Sequence, residues 1–344
     1  MTPRVAAAAA LLVGALALAQ PVRDALAPEA PSASAPGAGD LAGNVLSGSF
    51  RPLLLTYLWL RGDVLYGEGR DTECYELYRI LHALYPDNER ARDYLGWFLA
   101  FNLKQDAPSP ALGWKWAETG LEMLLETPQG PGIVADWIRK QCGQNSIVLQ
   151  RYAGPKWEEE RTWRAGLRGF AARHFGEPLS RFATGVRVLE GRGGFADRAR
   201  RAVLLRSLAY EELLRQGEAP HAAEAVAALL ETAGAVADEP DLKAYFEEKA
   251  RCLADAAEGR VPEPLPEADA YPVAMALLGR GADRGEKGAL DGAVALLEAL
   301  QARAEEMAGA GGFGEELELA RRWRAHAEDP EKTGRPPLPF DGMP

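Results

Sequence analysis

The chain has 344 residues, 47% of them hydrophobic, enough to bury a sizeable core without metals or disulfides. Its formal charge of −11 argues against nucleic acid as a partner, because phosphate contacts need a basic face. Cys74, Cys142 and Cys252 lie too far apart for a disulfide framework or a zinc-ligand spacing; free buried thiols are expected, with one Cys142 to Cys252 bridge left open.

In residues 1–20, Arg4 precedes an uncharged apolar run over 5–19 that closes on Ala17-Leu18-Ala19, the layout of an export signal. The run is 15 residues, short of the roughly 20 that span a bilayer. Val22, beyond Pro21, extends it if the helix tilts, so cleavage and retention as an anchor both stay open. Either outcome places the rest of the chain outside the cytoplasm, in the periplasm or anchored on the outer side of the inner membrane. Residues 21–44 are mostly Pro, Ala, Ser and Gly and read as a spacer with too little apolar area to order itself. The first helix is expected to open near Ser47, with Ser47 or Ser49 as cap and Pro52 in the first turn.

Residues 55–88 carry two helix-length apolar patterns on either side of Gly69-Arg70 and close on Pro86, which reads as a helical hairpin. Gly62, Gly69, Cys74, Tyr78 and Pro86 follow one another at spacings of 7, 5, 4 and 8. On a template of roughly 34 residues this resembles a tetratricopeptide repeat, in which two antiparallel helices pack small residue against large. Leu95-Gly96 repeats the Gly62 register one repeat length on, followed by Trp97, Phe98, Phe101 and Asn102. A polar insertion over 104–110 delays the return helix and is expected to project as a loop; Ala117 and Leu121 then take the small and large slots. The resemblance covers residues 50–127, and the segments Trp59-Leu60-Arg61, Glu68-Gly69-Arg70 and Gly96-Trp97 look like exported or membrane-anchored bacterial members of that family.

Beyond 128–132, a helix is expected over 133–141 ending at Gly143, a short one over 145–152, and another from Trp157 with Glu158, Glu159 and Glu160 in its first turn. Further helices follow to a break near Gly217, over 222–233, over 241–257 and over 289–307, with Gly/Pro breaks at 259–266 and 279–288. No run of alternating β-branched residues occurs, so the fold class is all-α: an α-solenoid of tetratricopeptide-like hairpins over 45–152, more helical hairpins over 153–328, and a Pro/Gly-rich tail over 329–344, disordered or lightly docked.

Signals for chemistry are sparse, and the chain does not read as an enzyme. His82, His174, His221 and His326 have no second His or Cys one turn away, so no metal or other cofactor is expected. His221 and Glu224 read as a helix-start surface pair. The clusters Gly191-Arg192-Gly193-Gly194 and Gly279-Arg280-Gly281 lack the Lys-Ser/Thr of a phosphate loop and read as loops between helices. Paired acids such as Glu211-Glu212 and Glu315-Glu316 read as solvated faces, and Arg161, Arg164 and Arg168 as one charged helical face.

The family resemblance implies a concave groove lined by the first helix of each hairpin. Carried residue by residue, it presents Thr56, Trp59, Leu60, Asp63, Tyr66 and Gly67 from the first repeat, and Arg90, Asp93, Tyr94, Trp97, Ala100 and Phe101 from the second. Trp and Tyr anchors suit a protein or peptide partner, since they offer contact area at low rotamer entropy. Helical spacing equally allows Trp59 and Trp97 to be core. A basic clamp for a peptide carboxylate is absent, as Trp59 and Asp93 stand where it requires Lys, Arg or Asn. The expected function is a non-catalytic scaffold of the cell envelope that mediates protein–protein interaction. A structural subunit of a larger assembly, or an all-α enzyme with its site in the C-terminal half, are the alternatives.

Overall fold

The structure, a computed structural model, describes residues 51–84, 86–141, 155–306 and 313–336. The expectations for the export segment, the spacer, the Ser47 or Ser49 cap, Cys142, Gly143 and the 145–152 helix lie outside these residues. Among the described residues the fold is all-α, with thirteen α-helices and one short 3-10 turn. The chain divides into two compact units, Met1–Ala91 and Arg92–Pro344.

In the first unit, α1 (Arg51–Gly67) and α2 (Asp71–Leu84) pack as a hairpin. The turn follows from Gly69, whose φ of 69° lets the Gly69 N–H reach the Tyr66 carbonyl and the Arg70 N–H reach the Leu65 carbonyl, both at 3.0 Å. The expected small-against-large packing is present. A side chain at Gly62 would start 2.6 Å from the Tyr78 hydroxyl, the Cys74 thiol donates to the Gly62 carbonyl at 3.5 Å, and Leu81 completes the buried seam.

The second unit takes in α3 (Glu89–Phe101) from Arg92 on and a 3-10 turn, Leu103–Asp106. There follow α4 (Pro110–Leu125), α5 (Gly130–Gln141), α6 (Pro155–Phe175), α7 (Arg181–Val188), α8 (Phe195–Gln216), α9 (Ala222–Ala235) and α10 (Pro240–Ala257). The last three are α11 (Glu267–Arg284), α12 (Lys287–Glu306) and α13 (Gly314–Glu328). Local chemistry sets several boundaries: the Ser109 hydroxyl accepts from Leu112 N–H before Pro110, and the Ser180 hydroxyl accepts from Ala183 N–H.

α3 and α4 meet at glycines, in a register offset from the expected one. A Cβ at Gly96 would lie 2.8 Å from the Gly120 carbonyl oxygen and 2.9 Å from Leu124 Cγ. Gly120 and Leu124, three residues past Ala117 and Leu121, therefore take the small and large slots. Ala117 and Leu121 are buried elsewhere in the same core. The insertion does not simply project: Leu103–Asp106 is helical, and Lys104 is buried with its ammonium 4.1 Å from the Trp163 ring centre. Trp163 stacks on Trp137, Trp114 meets both edge-on, and the Trp137 indole donates to the Ala100 carbonyl at 2.7 Å.

α8 is the wall between two cores. Leu204 and Leu208 face the tryptophan core, while Leu205, Ala209 and Leu213 face the core built from α11, α12 and α13. α8, α9, α10 and α11 close into a ring, each packing on the next and α11 returning to α8.

The expected break at 279–288 is present but shorter: α11 runs to Arg284, and the turn to α12 is Gly285-Glu286, with Gly285 at a φ of 67°. Gly279-Arg280-Gly281 is thus helix and not loop, and its glycines are there for close approach. A Cβ at Gly279 would sit 2.5 Å from the carbonyl oxygens of Leu213 and Leu214 on α8, and one at Gly281 would sit 2.5 Å from Leu290 Cγ on α12. The Gly191 cluster is the expected loop between α7 and α8. At the other end, the tail is docked as far as Pro336: His326 Nδ1 lies 2.8 Å from the Thr333 carbonyl, and the Arg335 guanidinium lies 5.7 Å from the Trp323 ring centre.

Candidate functional site

The aromatic residues expected to line a groove fall into two sets, one in each unit. In the first unit, Trp59 is half-buried with its ring 5.5 Å from that of Tyr78, so it serves the hairpin seam. Thr56, Leu60, Asp63, Tyr66 and Gly67 are exposed along α1, and Arg90 is exposed at the start of α3.

In the second unit, Tyr94, Trp97 and Phe101 recur at i, i+3 and i+7, which places them on one face of α3. Their rings form a ladder: Tyr94 to Trp97 at 5.7 Å and tilted, Trp97 to Phe101 at 5.8 Å and stacked. All three are half-buried, whereas Leu95, Phe98 and Leu99 are fully inside. The ladder is preorganised, since each ring limits the rotamers of the next.

Asp93 and Ala100 leave the groove set. Ala100 is buried, and Asp93 accepts a hydrogen bond from the Thr127 hydroxyl. Thr127 Oγ1 in turn accepts from the Gly130 N–H at 3.1 Å, so Asp93 anchors the start of α5. No family model, curated protein or solved structure matches this chain.

The second half contains a buried ionic cluster that no sequence motif marked. Asp269, at the start of α11 and only 1% exposed, accepts from Arg206 of α8 on one carboxylate oxygen and from Lys249 of α10 on the other. Beside it the Tyr210 hydroxyl and the Cys252 thiol are both pushed up in pKa, chiefly by burial, and stay neutral. Cys252 is a free thiol. With both oxygens of its carboxylate engaged by cations, Asp269 is suited to tie three helices together and not to take a proton from a substrate. A second buried group lies further along α8, where Glu211 is 3.1 Å from Arg215 and 3.8 Å from Arg181.

Four surface expectations change accordingly. Glu211 is buried, and the solvated pair Glu211-Glu212 is split, because adjacent helical residues face different ways. Glu212 pairs with His221 Nδ1 at 2.6 Å, which removes His221 from Glu224; Glu224 pairs with Arg201 at 2.5 Å. Arg164 is buried, so Arg161, Arg164 and Arg168 do not form one exposed face; nor do Glu315 and Glu316, since Glu316 is buried. Among the described residues no cluster of His, Cys, Asp or Glu is arranged to hold a metal ion, and no helix is long and apolar enough to cross a membrane.

Proposed function

We propose that the chain is a non-catalytic helical-hairpin scaffold of the tetratricopeptide-like kind, exported to the cell envelope, where it holds a protein or peptide segment. The reading rests first on the Tyr94–Trp97–Phe101 ladder. Large, stiff, half-buried rings held in one row on a glycine-packed helix offer contact area without an ordering cost at the moment of binding. Supporting it are the small-against-large hairpin of α1 and α2 and the glycine crossing of α3 and α4. Both are small-against-large contacts of the kind by which tetratricopeptide-like hairpins pack, and such hairpins present binding surfaces.

The test places a photo-crosslinking amino acid at Tyr94 in the full chain, irradiates in the native envelope, and identifies what is attached. A discrete adduct that disappears in Trp97→Ala, with unchanged helicity by circular dichroism, supports the reading. Loss of helicity in Trp97→Ala without a separable loss of adduct assigns the ladder to the core and refutes it.

A further inference from the structure

Half of the large apolar side chains standing open to water in the described chain lie on one helix: Tyr57, Leu60, Val64 and Tyr66 of α1, out of those four plus Phe195, Leu230, Tyr245 and Val261. Positions 57, 60 and 64 recur at i, i+3 and i+7, so three of them make a single stripe, exposed to 53%, 61% and 48%. The inward side of the same helix is spoken for by Leu65, by Gly62 against Tyr78 and by Trp59 against Tyr78. α1 is therefore apolar on two faces, one sealed by α2 and one open.

Two features of the chain bear on what covers the open face. The first is charge. In a chain with 50 acidic residues, α1 carries a single acid, Asp63, beside Arg51 and Arg61. Such a helix is shaped for a surface that penalises carboxylates, and the Tyr57 ring in the stripe suits the boundary between hydrocarbon and water. The second is position. The uncharged run over 5–19 is joined to Arg51 by 31 residues, Gln20 to Phe50. A Pro/Ala/Gly/Ser-rich connection of that length spans about 30 Å on average, so any bilayer that holds the run holds α1 at high effective concentration.

We propose that the Tyr57–Leu60–Val64 stripe of α1 lies on the lipid surface in which the N-terminal run is anchored, α1 running parallel to the membrane at the depth of the headgroups. This rests on export with the run retained, one of the two outcomes open from the sequence. α1 is a surface-lying element and not a span: its stripe is one side of a 17-residue helix whose other side belongs to the hairpin.

The experiment uses the full chain carrying Cys142→Ser, reconstituted in phosphatidylcholine vesicles. An environment-sensitive thiol label is placed at Leu60→Cys, at Val64→Cys or, as control, at the exposed Glu76→Cys of α2. Lipids bearing a nitroxide at shallow depth are the quencher, and flotation reports whether the chain is on the vesicle. Quenching at positions 60 and 64 several-fold stronger than at 76 is the expected result. If the chain floats with the vesicles but all three labels are quenched equally weakly, anchoring stands and the lipid-facing stripe is overturned. If the chain does not float, the anchored state and the stripe fall together. Labels at 60 and 64 that escape lipid quenching, yet become shielded from aqueous iodide as protein concentration rises, assign the stripe to a second copy of the chain and overturn the proposal.

Discussion

Gly279 offers the sharpest check on how the second unit is held together. Replacing it by Ala improves the intrinsic helix propensity of α11 by about 1 kcal/mol. The new methyl, however, would stand 2.5 Å from the carbonyl oxygens of Leu213 and Leu214. Carbon and oxygen need a little over 3 Å, so α8 and α11 must part by more than half an ångström. The struck atoms are backbone, with no rotamer to yield, which puts the cost near the upper end of the range for overpacking, about 3 kcal/mol. The expected net effect of Gly279→Ala is therefore a loss of about 2 kcal/mol. Gly169→Ala, in the middle of α6, is the matched control, because its Cβ would meet only the flexible end of Arg173 at 3.7 Å. That variant should gain up to about 1 kcal/mol from propensity alone. Urea titrations followed by circular dichroism at 222 nm compare the two. A Gly279→Ala chain as stable as the wild type would refute the backbone-to-backbone contact of α8 and α11.

Asp269→Ala leaves Arg206 and Lys249 buried without their shared anion and should destabilise the second unit by about 3–5 kcal/mol, read in the same titration. Burial raises the Cys74 thiol from its usual 9.0 to about 11, so the folded hairpin keeps it neutral. Stability linked to the buried thiol is complete below pH 9 and is lost as pH rises from 9 towards 11, because only the unfolded chain can release the proton there. Thiol titration at pH 8 should accordingly leave Cys74 unmodified until the chain is unfolded, and fast native reaction would contradict its burial. Thr127→Val removes the donor to Asp93 and the acceptor for Gly130 N–H and should cost about 1–3 kcal/mol, whereas Thr127→Ser should retain most of it.

How far the molecule could be read from its residues depended on where the deciding contacts lie. The hairpin of α1 and α2 was legible to single residues, because Gly62, Cys74 and Tyr78 are close in the chain and the turn is marked by Gly69. The crossing of α3 and α4 was legible as small against large but not in register, since Gly120 and Leu124, not Ala117 and Leu121, meet Gly96. Most of α11 was missed for a physical reason. Pro272 through Gly279 are all buried, so the helix has no polar face to show a period, and its glycines resemble turn signals until the neighbouring backbone is known. The Asp269 cluster left no local trace, as its members stand 63 and 20 residues from the carboxylate. In the site, the row Tyr94, Trp97 and Phe101 was visible as spacing. The loss of Asp93 to Thr127 was not, because a groove position and an anchor look alike without the partner.

The carboxylate of Asp269 also fixes how three helices line up lengthwise. Apolar side chains allow α8, α10 and α11 to slip along one another by part of a turn with little change in contact, but a two-pronged grip by Arg206 and Lys249 does not. Sliding any one of them by a single turn, about 5.4 Å, would strand a charge in hydrocarbon. One side chain thus selects a unique axial alignment among packings that oil-like matching alone would leave nearly equal in energy.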